Sequence, residues 1–184
     1  METSWNSALW RQFSAAITML ENAILACPSP LWTGKLWPEP VDQGFPPEFS
    51  RFWYIAYHAI FWCDLYLSGL PEEEFNPPAP FIWTELDPAV SPERPYSKEE
   101  LHAYLVATRR KCQETLLGLT DERAGQSVEY PWTAGKDVSF LELQLYSLRH
   151  VQEHAAQLNL FLGQNEVPAV PNWIGRAKDE SSGQ

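Results

Sequence analysis

From Phe52 to Leu67 the chain is apolar on nearly every side of a helical wheel, and this run constrains the fold more than any other feature. Read as a helix that begins after Pro46-Pro47 and stops before Gly69 and Pro71, it sets Phe49, Phe52, Trp53, Ala56, Ile60, Cys63 and Leu67 on one face. A second stripe holds Ile55, Trp62 and Leu65 together with His58. The run is shorter than the roughly 20 residues of a bilayer span and contains His58 and Asp64, so a helix buried in protein explains it and a membrane span does not. A helix apolar almost all round lies at the centre of a bundle, which directs His58 toward protein rather than water.

Three further segments carry helical periodicity. The first, about Trp5 to Ala26, repeats apolar residues at Leu9, Phe13, Ala16, Leu20 and Ala23 until Pro28 and Pro30 stop it. The third opens on the capping-box pattern Ser97-Lys98-Glu99-Glu100 and runs through Leu101, Leu105, Thr108, Cys112 and Leu116 toward Gly118. The fourth opens at Ser139 with Glu142 three residues on and runs to Gly163, which suits a C-terminal cap. Four amphipathic helices predict an all-α four-helix bundle, up-and-down by default, with crossover topologies permitted by two long connections.

Those connections are rich in Pro and Trp. The one after the first helix, 28–44, carries Trp32 and Trp37; the one after the second, 70–96, carries the cluster Phe81-Ile82-Trp83 and is expected to pack over the bundle as a lid or wall. At 184 residues, 45% of them hydrophobic and including nine Trp and nine Phe, the chain has the makings of a sizeable core. We expect one domain over 1–177 and a flexible tail over 178–184.

A formal charge of -11 repels phosphate backbones and anionic lipid alike, so nucleic acid and membrane surfaces are not expected partners. Residues 1–7 show no basic stretch leading into an apolar run, and a cytoplasmic protein is expected. Cys27, Cys63 and Cys112 are odd in number and sit in apolar surroundings, as buried reduced thiols do.

Chemistry is concentrated in three histidines. His150 and His154 are four residues apart on one helix face, about 6 Å along the axis, within a stripe that also holds Leu143, Ser147, Val151, Leu158 and Phe161. Two ligands seldom fill a first-row metal site, and His58 is the inward-facing candidate for the third. Core histidines satisfied by hydrogen bonds would account for any one of these singly; the pair plus a third on a separate apolar face points to one divalent metal held by His58, His150 and His154. Three neutral imidazoles suit Zn, Ni, Fe(II) or Mn and leave a position for water or substrate, as in catalytic sites. His150-Val151-Gln152-Glu153-His154 also fits a peptidase pattern with Glu153 as base, but the downstream carboxylate and the sheet of that fold are not evident. Glu99-x-x-His102 is half of a di-iron signature whose other half is missing, and His102 reads as a surface residue. No catalytic side chain is singled out; Tyr57, Tyr146 and Glu153 lie near ligands in sequence.

In these residues the chain resembles the DinB-like (YfiT-like) family of four-helix metalloproteins: a His late in the second helix, in Tyr57-His58-Ala59, and a His-x-x-x-His near the middle of the fourth, from His150 to His154. The resemblance spans the first helix to Gly163. It implies a bundle with a divalent metal at one end, often dimeric, some of whose relatives are transferases or isomerases using a low-molecular-weight thiol. The expected activity is metal-dependent thiol S-transfer or hydrolysis on a small molecule; the alternative is a metal-binding or stress-response protein in which the metal only staples the bundle, or a non-catalytic small-molecule binder lined by Trp32, Trp37 and Trp83. The 70–96 segment departs from the simplest members of that family.

Overall fold

The computed structural model describes residues 4–38, 47–87, 90–133, 135–168 and 173–177, so the expected tail at 178–184 lies outside the described residues. Four long helices form the body: α1 (Trp5–Ala26), α2 (Phe52–Ser68), α3 (Lys98–Leu117) and α5 (Phe140–Gln164). Between α3 and α5 come one turn of helix, α4 (Asp121–Ala124), and a two-stranded antiparallel ribbon in which β1 (Ser127–Val128) pairs with β2 (Val138–Ser139). Neither α4 nor the ribbon was evident from periodicity, because each is too short to establish a period.

Local chemistry sets the helix starts. Ser97 accepts the Glu100 backbone N–H while the Glu100 carboxylate accepts the Ser97 N–H, the reciprocal cap that the sequence predicts. Ser139 likewise accepts the Glu142 N–H at 3.1 Å. Gly69 ends α2 in the left-handed region, at φ 65. Two sequence expectations are corrected. The segment Pro47–Ser50 is a separate 3-10 turn and Arg51 is extended, bridged to Lys35, so α2 begins at Phe52 and Phe49 is not on it. The last helix continues past Gly163 to Gln164, and the left-handed residue beyond it is Glu166, at φ 58.

The core is one cluster built mainly from the inward faces of the four long helices, with Trp53, Tyr54, Tyr57, Phe13, Phe52, Phe61 and Phe140 fully buried. Helix α1 packs on α3 and α5, and α2 packs on the same two, so the order around the bundle is α1, α3, α2, α5. Helices consecutive in sequence, α1 and α2, therefore face each other across the diagonal, and the simple up-and-down arrangement does not hold.

Side-chain contacts fix the directions. At one end of α1, Asn6 donates to the carbonyls of Leu116 and Leu119, and at the other end Lys98 donates to those of Leu25 and Cys27, so α1 and α3 are antiparallel. Gln144 reaches the Tyr66 carbonyl while Phe161 packs on Phe52, which makes α2 and α5 antiparallel. Tyr96, just before α3, packs on Trp53 at the start of α2, so α2 and α3 run parallel. A parallel pair needs a connection that returns the length of the bundle, about 25 Å for a helix the size of α2, and this is why the Pro-rich segment is long.

The described parts of that segment pack over the bundle as expected. Phe81 stacks on Tyr57 and Tyr104, Tyr57 Oη donates to the Ile82 carbonyl at 2.6 Å, and Trp32 Nε1 donates to the Tyr96 carbonyl at 2.8 Å. Among the described residues no helix is long and apolar enough to cross a membrane.

Candidate metal centre

The three histidines singled out by the sequence meet in space. His58 stands on α2, in its first half rather than late in it, while His150 and His154 occupy successive turns at mid-length of α5. Because α2 packs directly against α5, the inward faces of these two helices bring the rings together: His150 Nε2 lies 3.0 Å from His58 Nε2 and 3.0 Å from His154 Nε2. Ligand atoms of all three lie within 4.8 Å of one another. His154 is buried, and His58 and His150 are partly so.

The hydrogen bonds around the trio decide which nitrogen carries each proton. His58 Nδ1 donates to Glu85 Oε2 at 2.6 Å, and His154 Nδ1 donates to Gln157 Oε1 at 2.8 Å, so both Nε2 atoms present lone pairs to the centre. His150 Nδ1 is buried without a partner. A single Nε2–H on His150 can point at only one of its two neighbours, which leaves the other neighbour's lone pair facing a nitrogen 3.0 Å away with no proton between them, a repulsive contact. A cation among the three nitrogens removes that repulsion. Nitrogens each about 2.1 Å from a common ion lie about 3.0 to 3.4 Å apart, and the two 3.0 Å separations from His150 fall in that range.

Electrostatics favour the unprotonated state that metal binding needs. Burial, reinforced by His58 and His154, pushes His150 down to about 2. Burial and then His58 push His154 down to about 4, against the upward pull of Gln157. Glu85 is the residue that sequence reasoning missed; it belongs to the Pro-rich connection and has no periodic signal. Its side chain is 6% exposed. Burial pushes its carboxyl upward, but His58 beside it and hydrogen bonds from His58 and Trp62 hold it below the usual carboxylate range.

Aromatic rings frame the centre. Phe49 meets His58 edge-on, Trp62 packs one turn along α2, and Tyr146 lies parallel to His150 with its centroid 6.3 Å away. Trp132, from the ribbon turn, stacks on Tyr146 at 4.3 Å and is 41% exposed, extending the ring series outward.

Other candidates go elsewhere. Glu153 is exposed and lines a groove between α1 and α5 with Gln12, Arg149 and Gln152, away from the rings it would have to serve as a base. Tyr57 is tied to the Ile82 carbonyl. His102 bonds Glu21 at 2.9 Å on the α1–α3 seam, and Glu99 is exposed, so no di-iron arrangement forms there. Cys27, Cys63 and Cys112 are free and buried; burial pushes Cys27 and Cys63 up to about 12 and Cys112 well above the usual thiol range. Trp32 packs on Phe52 and Trp37 on Phe49, while Trp83 is 44% exposed.

A family model described as the DinB superfamily matches residues 7–158, which include all three histidines and Glu85. No curated protein and no solved structure matches the chain.

Proposed function

The chain belongs to the DinB superfamily, and on that premise we propose that His58, His150 and His154 bind one divalent metal ion, of the zinc, nickel, iron or manganese class, as the centre of a metal-dependent enzyme. The observation that carries this reading is the convergence of three imidazole Nε2 atoms, two of them fixed as lone pairs, within the body of the bundle. When bound, such a group supplies Lewis acidity, favouring the thiolate or hydroxide form of a nucleophile and polarising an electrophile. Three imidazoles leave room for an exogenous ligand.

The reaction class we infer is transfer of a low-molecular-weight thiol to a small-molecule electrophile, or hydrolysis. The protein's own thiols are buried and held protonated, so the nucleophile is supplied from outside. His58 and His154, fixed by Glu85 and Gln157, hold the centre; Phe49, Trp62 and Tyr146 exclude water beside it, and the partly exposed stack of Trp132 on Tyr146 offers a flat apolar wall to a substrate. The same reading takes residues 1–177 as one domain in a cytoplasmic setting. It includes a homodimer, for which the exposed Leu145 and Leu160 on α5 are the support.

Elemental analysis of untagged protein purified without added metal tests the centre. About one equivalent is expected in the native chain, and none in His58→Ala or His150→Ala. Metal retained by both variants, or absent from the reconstituted native chain, contradicts the reading. With the stoichiometry established, a screen of small thiols against electrophiles tests the reaction class.

A further inference from the structure

The connection between α2 and α3 has to return along the bundle, and its route is specific. It leaves α2 where the Leu70 carbonyl accepts from Tyr130 Oη, lays Phe75 against Phe61 and Phe81 against Tyr57, and finishes with Tyr96 on Trp53. Midway it makes a tight turn in which the Leu86 and Asp87 N–H groups both donate to the Trp83 carbonyl, each at 2.9 Å. Glu85 stands within that turn.

One oxygen of Glu85 is gripped twice. Oε2 accepts from His58 Nδ1 at 2.6 Å and from Trp62 Nε1 at 2.8 Å, two donors one turn apart on α2. The carboxylate cannot shift without breaking both bonds in a buried setting, where a lost partner is costly. Through the first bond it holds the His58 proton on Nδ1 and aims the Nε2 lone pair at the centre, 3.0 Å from His150 Nε2. Carboxylates that brace a ligating imidazole in this way typically alter metal affinity by roughly 10- to 100-fold.

We propose that Glu85 is a positioning residue for the metal centre and that the 70–87 part of the connection is a strap over it, so that metal occupancy and strap docking stabilise each other. This rests on the metal-binding reading and adds a second element to it. The coupling is reciprocal by thermodynamic necessity: if the docked strap tightens metal binding, bound metal tightens the strap by the same factor. A connection needed only to span the bundle would place no carboxylate against a ligand ring, and its proline content reduces the entropy lost when it docks.

The test uses the full chain, its Glu85→Gln variant of similar shape, and Glu85→Ala. Affinities for zinc and nickel are measured by competition with a chromophoric chelator, and amide hydrogen exchange at Leu86 and Asp87 is followed with and without metal. Glu85→Ala is expected to bind roughly 10- to 100-fold more weakly, with Glu85→Gln in between because it keeps an acceptor oxygen but loses the charge. Metal is expected to slow exchange at Leu86 and Asp87 in the native chain, and to slow it less in both variants. Native-like affinity in Glu85→Ala, or exchange indifferent to metal, overturns the positioning role while leaving the metal centre intact. A native chain that takes up neither ion, nor iron(II) or manganese, overturns both together.

Discussion

His58 Nε2 and His150 Nε2 lie 3.0 Å apart although 92 residues separate them in the chain. The approach depends on α2 and α5 being direct neighbours, and on Glu85 and Gln157 having fixed the protons of the two outer rings on their Nδ1 atoms.

Because the core is continuous without the histidines, removal of metal is expected to lower the unfolding temperature but not to unfold the bundle. Ligand at about 1,000 times its dissociation constant adds about 4 kcal/mol, so the shift should scale with free metal concentration. Far-UV circular dichroism and thermal melts with and without a chelator check this. Loss of helicity on chelation at 25 °C would mark the metal as a structural staple.

The metal-free protein should lose stability as pH falls below about 6.5, the ordinary value for His150 and His154. Both are pushed down in the fold, to about 2 and about 4, so between those values and 6.5 the unfolded chain binds protons that the folded chain does not. Stability from this source is complete above 6.5 and declines toward pH 4. Urea midpoints of chelated protein between pH 7.5 and pH 5 are expected to show the decline, and His150→Gln to show less of it.

Gly34 is pinned by proximity. A Cβ there would stand 2.8 Å from Phe161 Cζ and 3.0 Å from the Leu31 carbonyl oxygen, while the Gly34 carbonyl accepts the Phe52 N–H at the start of α2. Gly34→Ala is expected to cost about 1 to 3 kcal/mol in chemical denaturation, the range for overpacking. A change below about 0.5 kcal/mol would show that Phe161 yields freely.

Asp64 makes two side-chain bonds in the core: Tyr104 Oη donates to its Oδ2 at 2.9 Å and Lys111 Nζ to its Oδ1 at 2.5 Å. Tyr104→Phe removes a neutral donor and should cost about 1 kcal/mol, whereas Lys111→Met leaves a mostly buried carboxylate without its counter-charge and should cost more, about 2 to 3 kcal/mol. The order of the two is the decisive result, read from urea unfolding at neutral pH. A reversal would mean that water replaces the ammonium at no cost.

Much of this was legible in the chain. The capping serines Ser97 and Ser139, the terminating Gly69 and the buried stripes act through neighbours within a few residues, and those neighbours are present in the sequence. The clustering of the three histidines was legible for the same reason: His150 and His154 share a helical face by spacing alone, and the all-round apolarity of α2 turned His58 inward. The start of α2 lies later than its two prolines suggest, because the pairing of Arg51 with Lys35 and its bond to the Thr33 carbonyl come from a distant segment.

Other features have no local signal. Nothing in 70–96 distinguishes Glu85 from its other carboxylates until the parallel run of α2 and α3 carries the connection back past His58. Trp132 is likewise an ordinary loop tryptophan until the ribbon between α3 and α5 sets it on Tyr146. The sequence by itself determined the helices, their buried faces and the three histidines, since helical period and capping are short-range properties of the chain. Tertiary structure decided the order of helices around the bundle, the crossing of the long connection and the carboxylate that braces His58, because each depends on which distant segments share one core.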